Sequence, residues 1–77
     1  MEFQIQLTSV QSVQEFVALA TARSYPVFVG SSRHWVNGKS FMEMFCLDLT
    51  FPLTARLECT AEEFEEFRKA AHRFAVK

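Results

Sequence analysis

The residues able to do chemistry in this chain are few and far apart. Its histidines are His34 and His72, and its cysteines are Cys46 and Cys59. A zinc site made from them calls for a Cys-x-x-Cys or His-x-x-x-His pair, since two ligands on one turn or one helix face help a small fold set a tetrahedron. Neither spacing is present, so no metal is expected, and the cysteines read as small core residues. His34 falls in a short strand and His72 in the last helix, which makes each a partly exposed structural residue rather than a proton or phosphoryl relay. Glu62, Glu63, Glu65 and Glu66 offer paired carboxylates for acid–base work, but crowded along one helix they read as its solvated face. Ser40 precedes a short apolar stretch, where its hydroxyl suits a helix cap. No catalytic constellation emerges, so neither an enzyme nor a cofactor is expected.

Composition narrows the rest. A chain of 77 residues, 49% hydrophobic and 22% charged, is too apolar for disorder and too interrupted by charge for a membrane span, and residues 1–77 form one domain. Nine Phe residues supply large apolar area to a small core. A net charge of -1 with scattered arginines argues against nucleic acid as a partner. Met1-Glu2-Phe3 shows no basic stretch followed by an apolar run, which predicts a cytoplasmic protein with reduced thiols.

Periodicity orders the elements. Phe3, Ile5 and Leu7 alternate with polar neighbours as a half-buried strand. Ser12 and Glu15 form a capping-box pair ahead of a helix that buries Val13, Phe16, Val17 and Ala20 and runs through Ala22. Pro26 restarts an extended run, Val27–Val29, which turns at Gly30-Ser31-Ser32 into a return strand, Arg33–Val36. Asn37-Gly38 stops that strand with residues that tolerate positive φ, and Ser40 caps a short helix. Leu53, Ala55, Leu57 and Cys59 alternate as a fourth strand; Thr60 and Glu63 make a further capping box, and Phe64, Phe67, Ala71 and Phe74 stripe the last helix. The expectation is an α/β (α+β) open-faced sandwich, ordered β-α-β-β-α-β-α, with a four-stranded antiparallel sheet and helices on one face.

That order, together with Val36-Asn37-Gly38-Lys39-Ser40-Phe41-Met42-Glu43-Met44-Phe45-Cys46-Leu47, resembles the HPr phosphocarrier family of the bacterial sugar phosphotransferase system, whose segment reads V-N-x-K-S-I-M-G-V-M-S-L. The resemblance covers nearly the whole chain in topology and this segment in sequence. It implies that Ser40 matches a serine which, in many Gram-positive relatives, a dedicated kinase phosphorylates. A phosphate there would meet free N–H groups at a helix start. Glu43 stands where the family has glycine, and its carboxylate would repel that phosphate. The family also carries a histidine in an H-x-R-P-A motif at the start of its first helix, where amides and an arginine hold the phosphoryl group. Here Leu7 leads into Thr8-Ser9-Val10-Gln11-Ser12, with neither histidine nor arginine, and Ser9 falls roughly at the histidine position after a shorter connection. A phosphoserine ester lacks the transfer reactivity of a phosphorylated imidazole.

The resemblance therefore implies a binding or regulatory module of HPr type that does not carry phosphate on histidine. The alternative is a phosphocarrier-family component controlled at Ser40. Phe41, Met42, Met44 and Phe45 cannot all face inward from so short a helix, so with Lys39 they are candidates for a protein-binding surface. In the family the equivalent surface meets protein partners, which suggests phosphotransferase or regulatory proteins here. Completion of a Phe-rich core is the other reading of these side chains. Trp35 is either a core residue or an aromatic on the open sheet face, where it would favour a homodimer or a partner.

Overall fold

The computed structural model describes residues 1–31 and 34–76. Along the chain come β1 (Glu2–Ile5), α1 (Val10–Thr21), β2 (Val27–Ser31), β3 (His34–Asn37), α2 (Phe41–Met44), β4 (Leu53–Leu57) and α3 (Ala61–Ala70), closed by a 3-10 turn at His72–Phe74. The strands form one antiparallel sheet in the order β1-β4-β2-β3. Phe3 faces Ala55, Ala55 faces Val29 and Val29 faces Val36 across its inner side. Because side chains alternate across a strand, this register sends Glu2, Gln4, Thr54, Arg56, Phe28 and Trp35 to the other, open side. The α+β open-faced sandwich expected from the sequence is the architecture of the chain.

Helices α1 and α3 cover the inner side with aromatic rings. Phe16 and Phe67 are fully buried, with centroids 5.7 Å apart in an edge-to-face arrangement, and Phe74 lies 6.2 Å from Phe16. Phe3 meets Phe64 at 5.7 Å, which ties β1 to α3. Such edge contacts put the positive rim of one ring on the negative face of the next, adding to burial. No polar or charged residue is buried among those described.

Several local expectations are corrected. Helix α1 begins at Val10, with Ser9 as its cap; the Ser9 hydroxyl accepts the Ser12 amide at 3.1 Å, and Glu15 turns instead to Arg73 at 3.5 Å. A hydroxyl at the helix start satisfies a free amide wherever the backbone first turns helical, and two serines three apart left two such starts open to the sequence. Gly30 and Ser31 belong to β2 rather than to the turn, and β3 extends to Asn37; Ser32 and Arg33 lie outside the described residues. Gly38 has no positive φ, so it is not there for a left-handed turn. It is needed for close approach: a Cβ would meet Val27 Cγ1 at 2.9 Å. The fourth strand stops at Leu57, leaving Cys59 half-buried, and Cys46 is exposed, so neither cysteine is a buried core residue. The box at Thr60 forms as expected, with Thr60 and Glu63 each accepting the other's amide.

Candidate functional site

Helix α2 is entered through a tight set of local contacts. The Asn37 side-chain oxygen accepts the Lys39 amide at 2.9 Å, and the Ser40 hydroxyl accepts the Glu43 amide at 3.3 Å. Glu43 Oε1 accepts the Asn37 amide at 3.3 Å, so its carboxylate folds back over the end of β3. Ser40 is thus a half-buried N-cap.

The five candidates beside Ser40 separate by the phase of the helix. Met42 is 81% exposed and Phe45 44% exposed, while Phe41 is half-buried and packs edge-to-face on Phe45 at 4.5 Å. Met44 is fully buried, so it is removed from the surface and assigned to the core. Lys39 is also engaged: its Nζ donates to the Arg23 carbonyl at 2.7 Å, just beyond the end of α1. A cation there complements the carbonyl end of the helix and fastens α2 to α1. The surface that remains is Met42 and Phe45, with exposed Phe51 on the loop ahead of β4.

Ser9, the residue nearest the family's histidine position, is exposed at the start of α1. Its hydroxyl lies 3.1 Å from that of Ser12, and Val10 beside it is 54% exposed. Helix α1 packs against α2, so these two candidate regions belong to neighbouring elements.

The histidines are placed elsewhere, both exposed. His34 stands opposite Ser31 at the end of the hairpin and borders a groove of about 410 Å³ with Cys46, Asp48 and Phe51. These groups do not form a relay. Cys46 Sγ turns to the Met42 carbonyl at 3.9 Å, and the Asp48 carboxylate accepts the Thr50 amide at 2.9 Å. That hydrogen bond, with a further one from the Thr50 side chain, holds the Asp48 carboxyl below its usual range. Among the described residues no group of three His, Cys, Asp or Glu side chains is placed to hold a metal ion. His72 borders a second groove, of about 440 Å³, with Arg68 and Lys69. The sequence reading overlooked this groove, although the signal was present in basic residues one and four positions apart at the end of a helix.

In the connection from α1 to β2, burial raises the Tyr25 hydroxyl above its ordinary range, against the opposing pull of Arg23. The Arg23 guanidinium carbon lies 5.6 Å from the centre of the Phe67 ring, and its Nε is buried without a hydrogen-bond partner among the described residues.

No protein-family model matches the chain, and no curated protein matches it. Among solved structures it is similar to the crystal structure of HPr-C-His from Thermoanaerobacter tengcongensis, with 24% sequence identity and a TM-score of 0.76, over 95% of this chain and 88% of that one. At that identity the likeness shows the fold. No helix among the described residues is long and apolar enough to cross a membrane.

Proposed function

We propose that the chain is an HPr-like binding or regulatory module, not an enzyme, which works in the cytoplasm through protein partners and does not carry phosphate on a histidine. The observation that carries this reading is Ser9. The cap of α1, where the resemblance places the phosphoryl-bearing imidazole, holds a hydroxyl whose acceptor role is taken by the Ser12 amide. Residues 8–12 contain no histidine or arginine to bear or clamp a phosphoryl group, and His34 and His72 lie on β3 and beyond α3. The HPr-like fold supports protein partners in general. For their contact, exposed Met42 and Phe45 on and just after α2 offer a soft apolar patch that adapts to more than one surface.

Regulation at Ser40 is the second reading. Its favouring observation is the hydroxyl at a helix start; against it stand the existing cap to Glu43 and the Glu43 carboxylate in the first turn. Intact mass and site mapping after incubation with enzyme I and phosphoenolpyruvate, and separately with an HPr serine kinase and ATP, divide the readings. The expected result is no phosphohistidine. Phosphate on His34 or His72 would overturn the proposal, phosphate on Ser40 alone would select the regulated form, and no modification would leave the interaction module.

A further inference from the structure

The segment after the 3-10 turn closes the β1 side of the sheet and, in doing so, bounds a groove that the phosphocarrier reading does not use. The Gln6 amide donates to the Phe74 carbonyl at 2.7 Å, the Val76 amide donates to the Gln4 carbonyl at 3.0 Å, and Ile5 bridges to Ala75 between them. These bonds pin residues 74–76 against β1 and occupy the backbone groups of Gln4 and Gln6 that make them. A ligand in the groove is therefore met by side chains, and the backbone around it is already fixed.

The groove, of about 440 Å³, combines two chemistries. Phe3, Ala75 and Val76 give it apolar surface, and Arg68, Lys69 and His72, all exposed, give it cations and N–H donors. The half-buried Phe3 ring is held in place by edge contacts to Phe64 at 5.7 Å and Phe67 at 6.3 Å, so this apolar surface is rigid. Among the described residues that line the groove none is acidic, in a chain whose net charge is -1. The competing carboxylates stand further back on α3. Glu65 reaches Arg68 at 3.6 Å with both side chains about half-exposed, and Lys69 also borders Glu62, Glu65 and Glu66; pairs so exposed are weak enough to exchange. Complementing the carbonyl end of α3 accounts for Arg68 and Lys69 as charges, but not for the fixed apolar surface beside them.

We propose that this groove binds a small organic anion, a carboxylate or phosphate carried on a flat apolar body, with the charge met by Arg68, Lys69 and His72 and the body resting on Phe3 and Val76. Its volume lies at the small end of the range for ligand sites, roughly 300–1,000 Å³, which suits a body of about one or two fused rings. The guanidinium fork fixes the orientation of the anionic group, and apolar contact supplies what exposed charges alone do not. This surface shares no residue with the α2 patch, so the proposal stands or falls independently of the phosphocarrier reading.

The probe is naphthalene-2-carboxylate, titrated against the isotope-labelled full chain with backbone amide shifts as the readout. Saturable shifts are expected at Gln4, Lys69, His72 and Val76, with a dissociation constant of about 1 mM or below. The matching naphthyl phosphate is expected to bind at least as tightly. The uncharged naphthalene-2-carboxamide, which keeps the rings, and inorganic phosphate, which keeps only the charge, should each bind more weakly by about fivefold or more. The Arg68→Gln/Lys69→Gln double variant, altered only at exposed positions, is expected to keep its thermal midpoint and to weaken binding of the carboxylate by a similar factor. Met42→Ala should leave the titration unchanged. Equal binding of the carboxamide or of inorganic phosphate, undiminished binding by the double variant, shifts centred on Met42 and Phe45, or no saturable shift would overturn the proposal.

Discussion

The Arg56 guanidinium carbon lies 4.3 Å from the centre of the Trp35 ring, on the open face of the sheet. Arg56 also donates through Nε to Glu2 at 2.7 Å, and Trp35 stands opposite Gly30, so a planar cation roofs a ring whose cross-strand partner has no side chain. Trp35 is therefore half-buried by its own neighbours, which leaves less of it to anchor a homodimer. A double-mutant cycle with Arg56→Ala and Trp35→Phe is expected to give a coupling of about 0.5–1 kcal/mol by urea unfolding. In Arg56→Ala the Trp35 emission maximum moves to longer wavelength as water reaches the ring. An unmoved maximum would mean that the roof does not form in solution.

The start of α1 gives a second expectation. Ser9 caps the helix and Ser12 lies inside its first turn, so Ser9→Ala should lower stability by about 1 kcal/mol, whereas Ser12→Ala should change it by only a few tenths. Thermal unfolding of the two variants checks this. The reverse order would restore Ser12 as the cap and lengthen the connection after β1.

These serines mark where the sequence was readable and where it was not. Alternation in β1 and β4 identified the sheet, and the Phe64–Phe67 spacing the start of the last helix, because burial on one side imposes a period that few residues break; the helix nevertheless ends at Ala70, so Ala71 and Phe74, expected on its stripe, are buried instead from the 3-10 turn and its cap. The Thr60–Glu63 box was legible because both members of the pair are present and nothing nearby competes. Around Ser9 and Ser12 two caps were available, and only the path of the chain out of β1 chooses between them. Gly30 and Gly38 looked like turn residues, yet both are set by close approach of another strand: a Cβ on Gly30 would run into the His34 carbonyl across the hairpin, and one on Gly38 into Val27. Lys39 was counted as a surface cation because its partner, the Arg23 carbonyl, belongs to another element. The basic groove went unseen for the same reason, since Phe3 and His72 meet only when β1 lies beside the end of α3.

Phase along α2 separates two methionines that a sequence pattern treats alike. Met44 has no exposed surface and Met42 is 81% exposed. Met44→Ala should therefore cost about 2–5 kcal/mol, through lost burial and the cavity left behind, while Met42→Ala should stay within about 0.5 kcal/mol. Chemical denaturation of both variants reads the difference. Equal costs would show that α2 is rotated or frayed in solution. Because Met42→Ala preserves the fold, it is also the variant in which loss of a partner can be assigned to the surface rather than to unfolding.

The two thiols should differ in reactivity. Burial, joined by the Glu63 carboxylate, raises the Cys59 thiol above its ordinary range, and Cys59 is half-buried behind β4. Thiolate is the nucleophile, so alkylation of Cys59 by iodoacetamide at neutral pH is expected to be slow, whereas exposed Cys46 should react first. The sign for stability follows from the same shift. A thiol pushed up in the folded state contributes nothing unfavourable below its unfolded pKa, and its protonated form is lost as pH rises through the folded value, so the folded state weakens there relative to a Cys59→Ser variant. Glu63→Gln removes the carboxylate and should speed Cys59 alkylation, at the cost of part of the cap at Thr60. Alkylation rates of Cys46→Ser and Cys59→Ser, followed by intact mass, assign each rate to its residue. Comparable rates would mean that the strand end opens to reagent and that Cys59 is not held behind β4.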